Sequence, residues 1–293
     1  MRSSSDSGDD TMREWRHYAR EMERAARAAA VATRYEHQLL RPPESMRPVR
    51  TRMATLHRQI EQRHLACARL FRLHALRLLH WRADGSAAVR PVFMAAVAED
   101  LGLGSAAITL FDDQRRELLH AASDARSRAA HDHEVTIGQG PAREVAAGVE
   151  ALLVEGSELI GRWPQYSTAA TDLGIRSVVA VGVPMGPAWR GALCVYSERS
   201  HLPADAVPAI GRIAEVLATQ MLPAGFARGV PRGALFDDAD YSSTVNQAIG
   251  MVAVQESTEL DTALQLLRAR AFAEGISLRE LSGQVVEEGY RLC

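Results

Sequence analysis

The chain has 293 residues, of which 47% are apolar, and a formal net charge of −2. This length allows about two domains, and the apolar content excludes a disordered protein. No apolar run approaches the ~20 residues that cross a bilayer, and no signal pattern is present, so we expect no membrane partner. Cys67, Cys194 and Cys293 lie far apart. Their spacing argues against a disulfide framework or a zinc site and favours a cytoplasmic location.

The charge is distributed unevenly along the chain, and every basic side chain is arginine. Residues 1–90 carry 18 arginines against 10 acidic residues, residues 91–233 carry 12 against 16, and residues 234–293 carry 4 against 10. Nucleic-acid affinity depends largely on neutralised phosphates, so the last segment is a weak electrostatic candidate for RNA binding. We interpret the arginines of the first segment as a solvated helix face rather than an RNA-binding arm.

The first 90 residues predict a disordered tail followed by two helices. Residues 1–11 are rich in Ser and Asp and are expected to be disordered. Apolar residues recur at helical spacing from Met12, and this helix should end near Pro42. A second, heptad-like pattern runs from Val49 through Leu56 and Ile60. We predict that residues 12–90 form a coiled-coil-like dimerisation segment, with an intramolecular two-helix hairpin as the alternative.

Residues 91–222 predict an α+β unit in which helices cluster on one side of an antiparallel sheet. The predicted strands are 106–111, 117–122, 151–154, 177–183 and 191–197, and the predicted helices are 93–101, 142–148, 167–173 and 204–222. The polar stretch that ends at His133 is expected to be mobile.

Four short motifs in this unit occur in a recognisable order. They are Gly138-Gln139-Gly140-Pro141 before a helix, Trp163-Pro164 before a loop, Gly174 to Val178 entering a strand, and Gly191 to Tyr196. Over residues 91–222 this order resembles a GAF domain. The resemblance implies a small-molecule or redox sensor with a pocket between the sheet and the 125–175 loops. Candidate lining residues are Phe111, Trp163, Tyr166 and Arg176, although each could equally be ordinary core or surface.

Chemistry-bearing motifs are sparse, so we expect neither enzymatic activity nor a cofactor. His131-Asp132-His133 offers two imidazoles and a carboxylate, but the spacing marks no further ligand and we expect no metal there. Gly138-Gln139-Gly140 lacks the third glycine of a dinucleotide fingerprint. Cys194 lies in an apolar run and is expected to be a small buried hydrophobe.

After a linker at residues 223–237, residues 238–293 predict three short helices. Val245, Ala248, Ile249 and Val252 form the apolar stripe of the first helix. Thr258 with Asp261, and Ser277 with Glu280, have the form of capping boxes, and Gly275 can close the second helix. Helices this short are unstable alone, so they should pack as a three-helix bundle.

The order of residues in these helices is more specific than their spacing. It runs Gln247-Ala248-Ile249-Gly250-Met251, then Ala263, then Leu267-Arg268-Ala269-Arg270-Ala271, then Leu278 with Val285-Val286. Over about residues 238–290 this resembles the ANTAR domain, a three-helix domain that binds paired hairpins in nascent RNA and prevents transcription termination. The family usually has Ala-Lys-Gly where this chain has Ala248-Ile249-Gly250. A GAF domain followed by an ANTAR domain is a known pairing in actinobacterial regulators. The predicted RNA-binding residues are Gln247, Arg268, Arg270 and Arg279.

Together these features predict a cytoplasmic, signal-responsive, homodimeric transcription regulator that binds pairs of RNA hairpins and takes an unidentified small-molecule ligand. The alternative is a protein-interaction regulator whose acidic C-terminal bundle binds no RNA. A helix-turn-helix DNA binder is a weaker option, because the third helix region carries only Arg279 and Arg291 as basic groups.

Overall fold

The structure is a computed structural model that describes residues 4–85, 89–186, 190–222, 233–236, 239 and 242–292. It confirms an α+β fold with long N-terminal helices, one five-stranded antiparallel sheet and C-terminal helices. Most of the predicted linker at residues 223–237 lies outside the described residues. None of the described helices combines the length and apolar character needed to cross a bilayer.

The two N-terminal helices pack against each other as an antiparallel hairpin. Helix α1 spans Ser4–Gln38 and α2 spans Arg47–Ala83, with a 3-10 turn at Glu44–Met46 between them. Arg58 of α2 donates to Glu36 of α1 at 2.7 Å, and His64 lies 2.6 Å from Glu21. The hairpin is the arrangement that the sequence left as the alternative. Val49 and Leu56 remain 50% and 42% exposed, so dimerisation through this segment stays a prediction.

Helix α1 begins earlier than the sequence pattern suggests. It starts at Ser4, whereas the apolar periodicity indicated a start near Met12 within a segment preceded by disorder. Thr11 is buried, and Asp10 accepts a hydrogen bond from Arg90 at 3.0 Å. This long-range hydrogen bond connects the first turns of α1 to the segment that follows α2. A local sequence pattern cannot predict it.

The predicted strands and helices of the central unit occur in the predicted order, and two further helices, at Ala125–Ile137 and Glu158–Arg162, lie between them. Its elements are α3 (Phe93–Leu101), β1 (Ser105–Phe111), β2 (Glu117–Ala122), α4 (Ala125–Ile137), α5 (Pro141–Ala146), β3 (Ala151–Glu155), α6 (Glu158–Arg162), α7 (Pro164–Asp172), β4 (Ser177–Pro184), β5 (Arg190–Ser197) and α8 (Ala206–Val216), which continues as a π-helical turn at Leu217–Met221. The sheet order is β2-β1-β5-β4-β3, with every neighbouring pair antiparallel.

Helices cover both faces of this sheet, so the prediction that they cluster on one side is wrong. Side chains alternate along each strand. Ile108 and Leu193 face a core that includes residues of α2, α3 and α8. Ala107 and Cys194 face a second core that includes residues of α5 and α7. All seven residues of β1 are buried, which explains its unbroken run of small and apolar residues.

The stretch expected to be mobile is a helix, α4. Asp124 and Ser127 form a reciprocal capping box at its start. Gly138 closes it with a φ of +80°, in the left-handed region that favours glycine. The helix has no clear apolar stripe because it packs against two different partners, and a polar sequence therefore concealed it.

The C-terminal bundle, residues 242–292, consists of α9 (Ser243–Gln255), α10 (Leu260–Glu274) and α11 (Leu278–Glu287). Ala248, Val252, Leu267, Leu281 and Val285 are among the residues of its own buried core. Ser277 accepts from the Glu280 backbone N–H at 3.1 Å, and Gly275 closes α10 at φ +67°, as predicted. The predicted Thr258 cap is wrong, because α10 begins after Glu259 without a side-chain cap.

Candidate functional site

The residues predicted to line a sensor pocket do not come together around an open cavity. Phe111, Trp163 and Tyr166 are 1%, 3% and 0% exposed and belong to one packed apolar cluster. The Trp163 and Tyr166 rings meet edge to face at 5.8 Å, and the indole N–H donates to Glu144 at 2.8 Å. Arg176 lies on the surface. These three aromatic side chains therefore form core, and Arg176 is separate from them.

A polar centre is instead buried between β2 and α4. The Nε2 of His131 lies 3.0 Å from Oε1 of Glu117, and the imidazole of His131 stacks on that of His120 with centroids 3.5 Å apart. Nδ1 of His120 contacts the Thr109 hydroxyl at 3.0 Å. An acid, two imidazoles and a hydroxyl are thus held together by neighbouring strands and one helix.

The charges in this centre follow from burial and pairing. Burial alone would raise the pKa of Glu117, but the charge and hydrogen bond of His131 lower this pKa to about 2. Burial would likewise lower the pKa of His131, but Glu117 raises it above its usual value. Burial, and then the charge of His131, hold the pKa of His120 well below its usual range. At a pH below the raised pKa of His131, the centre therefore contains an imidazolium–carboxylate pair beside a neutral imidazole.

Three polar contacts join this region to the C-terminal bundle. The hydroxyl of Ser242, at the entrance to α9, donates to Oε1 of Glu117 at 2.9 Å. The backbone N–H of Leu278, at the start of α11, donates to the Thr136 hydroxyl at 3.1 Å. Arg279 lies 3.6 Å from Asp132. Each contact links residues more than 100 positions apart, so together they define how the bundle is docked on α4.

Helix α4 also contributes to both neighbouring cores. Ala130 belongs to the buried cluster of Trp163 and Tyr166, whereas Val135, one turn further, packs against the core of the bundle. The same helix therefore supports the sheet on one side and the bundle on the other.

A cavity of about 270 Å³ remains between the central unit and the bundle. Its apolar wall includes Val245, Ile249 and Leu264 of the bundle. Its polar wall includes Arg143 from α5 and Arg268 from α10. Charged side chains of both signs converge on the cavity beside the apolar wall. Its volume is slightly below the roughly 300–1,000 Å³ of typical ligand pockets.

The docked bundle divides the four predicted RNA-binding residues into two pairs. Gln247 and Arg270 are exposed, and Arg270 pairs with Glu274 at 2.6 Å and contacts the Tyr290 hydroxyl. Arg268 and Arg279 face the central unit. Ile249, which replaces the basic residue of the family pattern, is partly buried in the same cavity wall.

Several residues of this interface were not identified from the sequence. Glu117, His120, Thr136 and Arg143 carry no motif, and His131 was considered only together with His133, which is exposed. Among the residues that the structure describes, no group of three or more His, Cys, Asp or Glu side chains could hold a metal ion. Cys194 is buried, and burial raises the pKa of its thiol well above the usual value.

Comparison with protein-family models and with curated proteins gave no match. Among solved structures, the chain is similar to a domain of a protein described as a two-component sensor histidine kinase from Sinorhizobium meliloti 1021. The two are 21% identical, the match covers 43% of this chain and 82% of that domain, and the TM-score is 0.33. A similarity this low identifies neither a family nor a function.

Proposed function

We propose that this protein is a cytoplasmic, signal-responsive transcription regulator in which the central unit controls an RNA-binding C-terminal bundle. The observation that carries the proposal is the docking of a bundle with its own core through a face that includes Arg268 and Arg279. Those two arginines are half of the predicted RNA-binding set: Arg268 is partly buried against the central unit, and Arg279, although 40% exposed, pairs with Asp132.

The mechanism is a shift between a docked and a released bundle. A signal that binds the two arrangements unequally changes their populations. The docked bundle offers Arg270 to a phosphate, whereas the released bundle offers Arg268 and Arg279 as well. At ~0.7 salt-slope units per phosphate contact, the slope for one bundle steepens from about −0.7 to about −2 on release. The salt dependence of binding therefore reports the state of the bundle.

A dimer would present two bundles to a paired RNA hairpin. Linking two weak binding modules raises the apparent affinity through effective concentration. Val49 and Leu56 on α2 are exposed, and Ile60 is half-buried, so this face of the hairpin is available to a second copy. Replacing Leu56 and Ile60 with Asp should yield monomers in analytical ultracentrifugation. An unchanged dimer in the double variant would place self-association elsewhere.

The central test compares two substitutions on α4 in the full chain. Val135→Arg places a cation against the bundle beside Arg268 and Arg279, and should release the bundle by repulsion and loss of packing. His133→Arg adds the same charge at an exposed position of the same helix and serves as the control. We expect Val135→Arg to bind a double-hairpin RNA more tightly and with a steeper salt slope than His133→Arg or the wild type.

Two further variants identify the contacts. Within Val135→Arg, replacing Arg268 and Arg270 with Ala should reduce RNA affinity, whereas replacing the exposed Arg199 of the central unit should not. The absence of measurable RNA binding in every variant would reject this function and leave the protein-interaction alternative.

That alternative is a second candidate with an observation of its own. The bundle carries large exposed apolar side chains, including Val254 at 81% and Phe272 at 62%. Phe272 lies in the wall of a groove of about 720 Å³ between α4, α7 and α10. An acidic bundle with exposed apolar side chains is suited to a protein partner. In this case Phe272→Ala would abolish partner capture from a cell lysate without altering RNA binding.

A further inference from the structure

Two guanidinium groups in the cavity between the central unit and the bundle have buried nitrogens without a hydrogen-bond partner among the described residues. Nε and Nη2 of Arg268 and Nε of Arg143 are buried and donate to no acceptor among the described residues. A buried N–H without an acceptor is strongly unfavourable, and the penalty is larger for a charged group. These two side chains come from different units, and both line the same cavity.

The guanidinium group of Arg268 packs closely against the central unit. A Cβ on Gly138 would lie 3.2 Å from Nη1 of Arg268, so the glycine allows the guanidinium to pack on the backbone at the end of α4. Burial, and then the charge of Arg143, lower the pKa of Arg268 to about 10. The arginine therefore stays protonated near neutral pH and is repelled by its neighbour.

Four carboxylates also line the cavity, those of Asp112, Glu117, Asp132 and Asp261. Glu117 is bound to His131 and Ser242, and Asp132 pairs with Arg279. Glu134 accepts the backbone N–H of Arg143 at 2.7 Å. None of these contacts supplies an acceptor to the open nitrogens of Arg268 and Arg143. Among the residues that the structure describes, no carboxylate oxygen therefore accepts a hydrogen bond from the buried nitrogens of Arg143 and Arg268.

We propose that this cavity binds a small organic phosphate, with the phosphate held jointly by Arg143 and Arg268. A carboxylate has two oxygens and one charge, and a single arginine can satisfy it. A phosphate monoester has three terminal oxygens and nearly two charges, so it suits two guanidinium groups. Val245, Ile249 and Leu264 line the apolar side, so the ester carries an apolar or ring-bearing group rather than being inorganic phosphate alone.

The site spans the docking interface, and its occupant would act as a bridge between the two units. The phosphate ester binds the docked arrangement better, because release separates Arg143 from Arg268. This inference deepens the proposed function by naming the class of signal, and it rests on that function only for the consequence to RNA binding. Binding of the phosphate itself can be measured without any RNA.

The test uses the full chain and four probes: phenyl phosphate, benzoate, phenol and inorganic phosphate. At ~10 mM, phenyl phosphate should raise the thermal midpoint by about 2–4 °C, if this concentration is about tenfold above Kd. Benzoate and inorganic phosphate should act more weakly, and phenol should have no effect. Calorimetry then gives the affinity directly.

Three variants assign the binding to the two arginines. Arg268→Met and Arg143→Met should each weaken phenyl phosphate binding by about 10- to 100-fold, the range expected for a charged hydrogen bond. Arg199→Met, at an exposed position of the central unit, should bind like the wild type. Without a probe, Arg268→Met should be at least as heat-stable as the wild type, because an unpaired buried charge has been removed.

Several results would overturn the inference. These are no binding of phenyl phosphate by the wild type, equal binding of benzoate, or unchanged binding in both Met variants at the cavity. A marked loss of stability in Arg268→Met without a probe would show that the arginine is a structural contact. Failure of RNA binding while phenyl phosphate still binds would reject the proposed function and leave this site intact.

Discussion

Helix α4 separates two buried regions of different character. On one side, Ala130 joins a solid cluster with Trp163 and Tyr166, in which the aromatic rings fill the space. On the other side, His131 and Thr136 make polar contacts, and His131 borders the cavity that contains the buried nitrogens of Arg143 and Arg268. The first region is filled by packed apolar and aromatic side chains, whereas the second retains a cavity lined by charged side chains. A signal bound in the second region would act on docking directly.

The largest expected effect is the loss of stability when the packed aromatic cluster of Trp163 and Tyr166 is disrupted. Trp163→Ala should lower the free energy of unfolding by about 3–5 kcal/mol, because it leaves a cavity and removes the indole hydrogen bond to Glu144. Urea denaturation measures the loss. Phe272→Ala, at a side chain that is 62% exposed, should change stability by about 0.5 kcal/mol or less. A loss below about 1 kcal/mol for Trp163→Ala would mean that this region is not tightly packed.

The next effect concerns the charged pair on the polar side. Glu117→Gln keeps a hydrogen-bond acceptor for Ser242 but removes the charge opposite His131. We expect a loss of about 3 kcal/mol near pH 6, since breaking a buried pair leaves an uncompensated charge. The same urea titration with His131→Gln alone and with both substitutions gives the coupling energy. Additive losses in the double variant would show that the two groups do not interact.

The pH dependence of this pair has a definite sign. The pKa of His131 is raised in the folded state, so its stabilising contribution is complete below about pH 6.5 and is lost as pH rises through the raised pKa. The pKa of Glu117 is lowered to about 2, so its contribution persists above pH 4.5 and is lost only as pH falls towards 2. The difference between wild type and Glu117→Gln should therefore shrink as pH is raised towards 9. A constant difference from pH 6 to pH 9 would contradict this assignment.

A smaller effect is expected at the buried amide of α11. Thr136→Val removes the acceptor of the Leu278 N–H and should weaken docking by about 1–2 kcal/mol. Hydrogen exchange at the Leu278 amide should accelerate accordingly. Thr168→Val, at an exposed position on α7, is the matched control. Unchanged exchange at Leu278 would indicate that water replaces the hydroxyl readily.

The smallest effect is expected at the partly exposed ion pair. Arg279 and Asp132 are 40% and 25% exposed, and such pairs contribute about 0.5 kcal/mol or less. Asp132→Asn should therefore change stability only slightly at low salt and not measurably at ~0.5 M salt, where charges are screened. A loss above about 1 kcal/mol would place this pair among the main docking contacts.

The sequence was sufficient for the elements whose signals are local. Strands buried on both faces gave unbroken apolar runs, as in β1, and a glycine or serine at a helix end gave the caps at Gly275 and Ser277. Helix α4 was missed because its contacts divide between two cores and leave no single apolar stripe. Thr258 failed as a cap because the spacing of a capping box does not guarantee the backbone geometry.

The interface between the central unit and the bundle could not be predicted from local sequence patterns, for a different reason. The Thr136–Leu278 contact joins residues 142 positions apart, and the Ser242–Glu117 contact joins residues 125 apart. With a single sequence, nothing links such positions. The three aromatic pocket candidates are the residues most easily noticed in that stretch, yet their size and apolarity suit a packed core equally well, and the structure places them in one.

The face of α4 that contacts the bundle has a consequence for building chimeric proteins. The bundle, residues 242–292, has its own core, so it could be transferred as a unit to the end of another protein. Its docked position, however, depends on Thr136 and Val135 of α4, which belong to the central unit. A different bundle attached to this central unit would fold but would not dock. In such a chimera the central unit would control the bundle only if the side chains of α4 that contact the native bundle were exchanged as well.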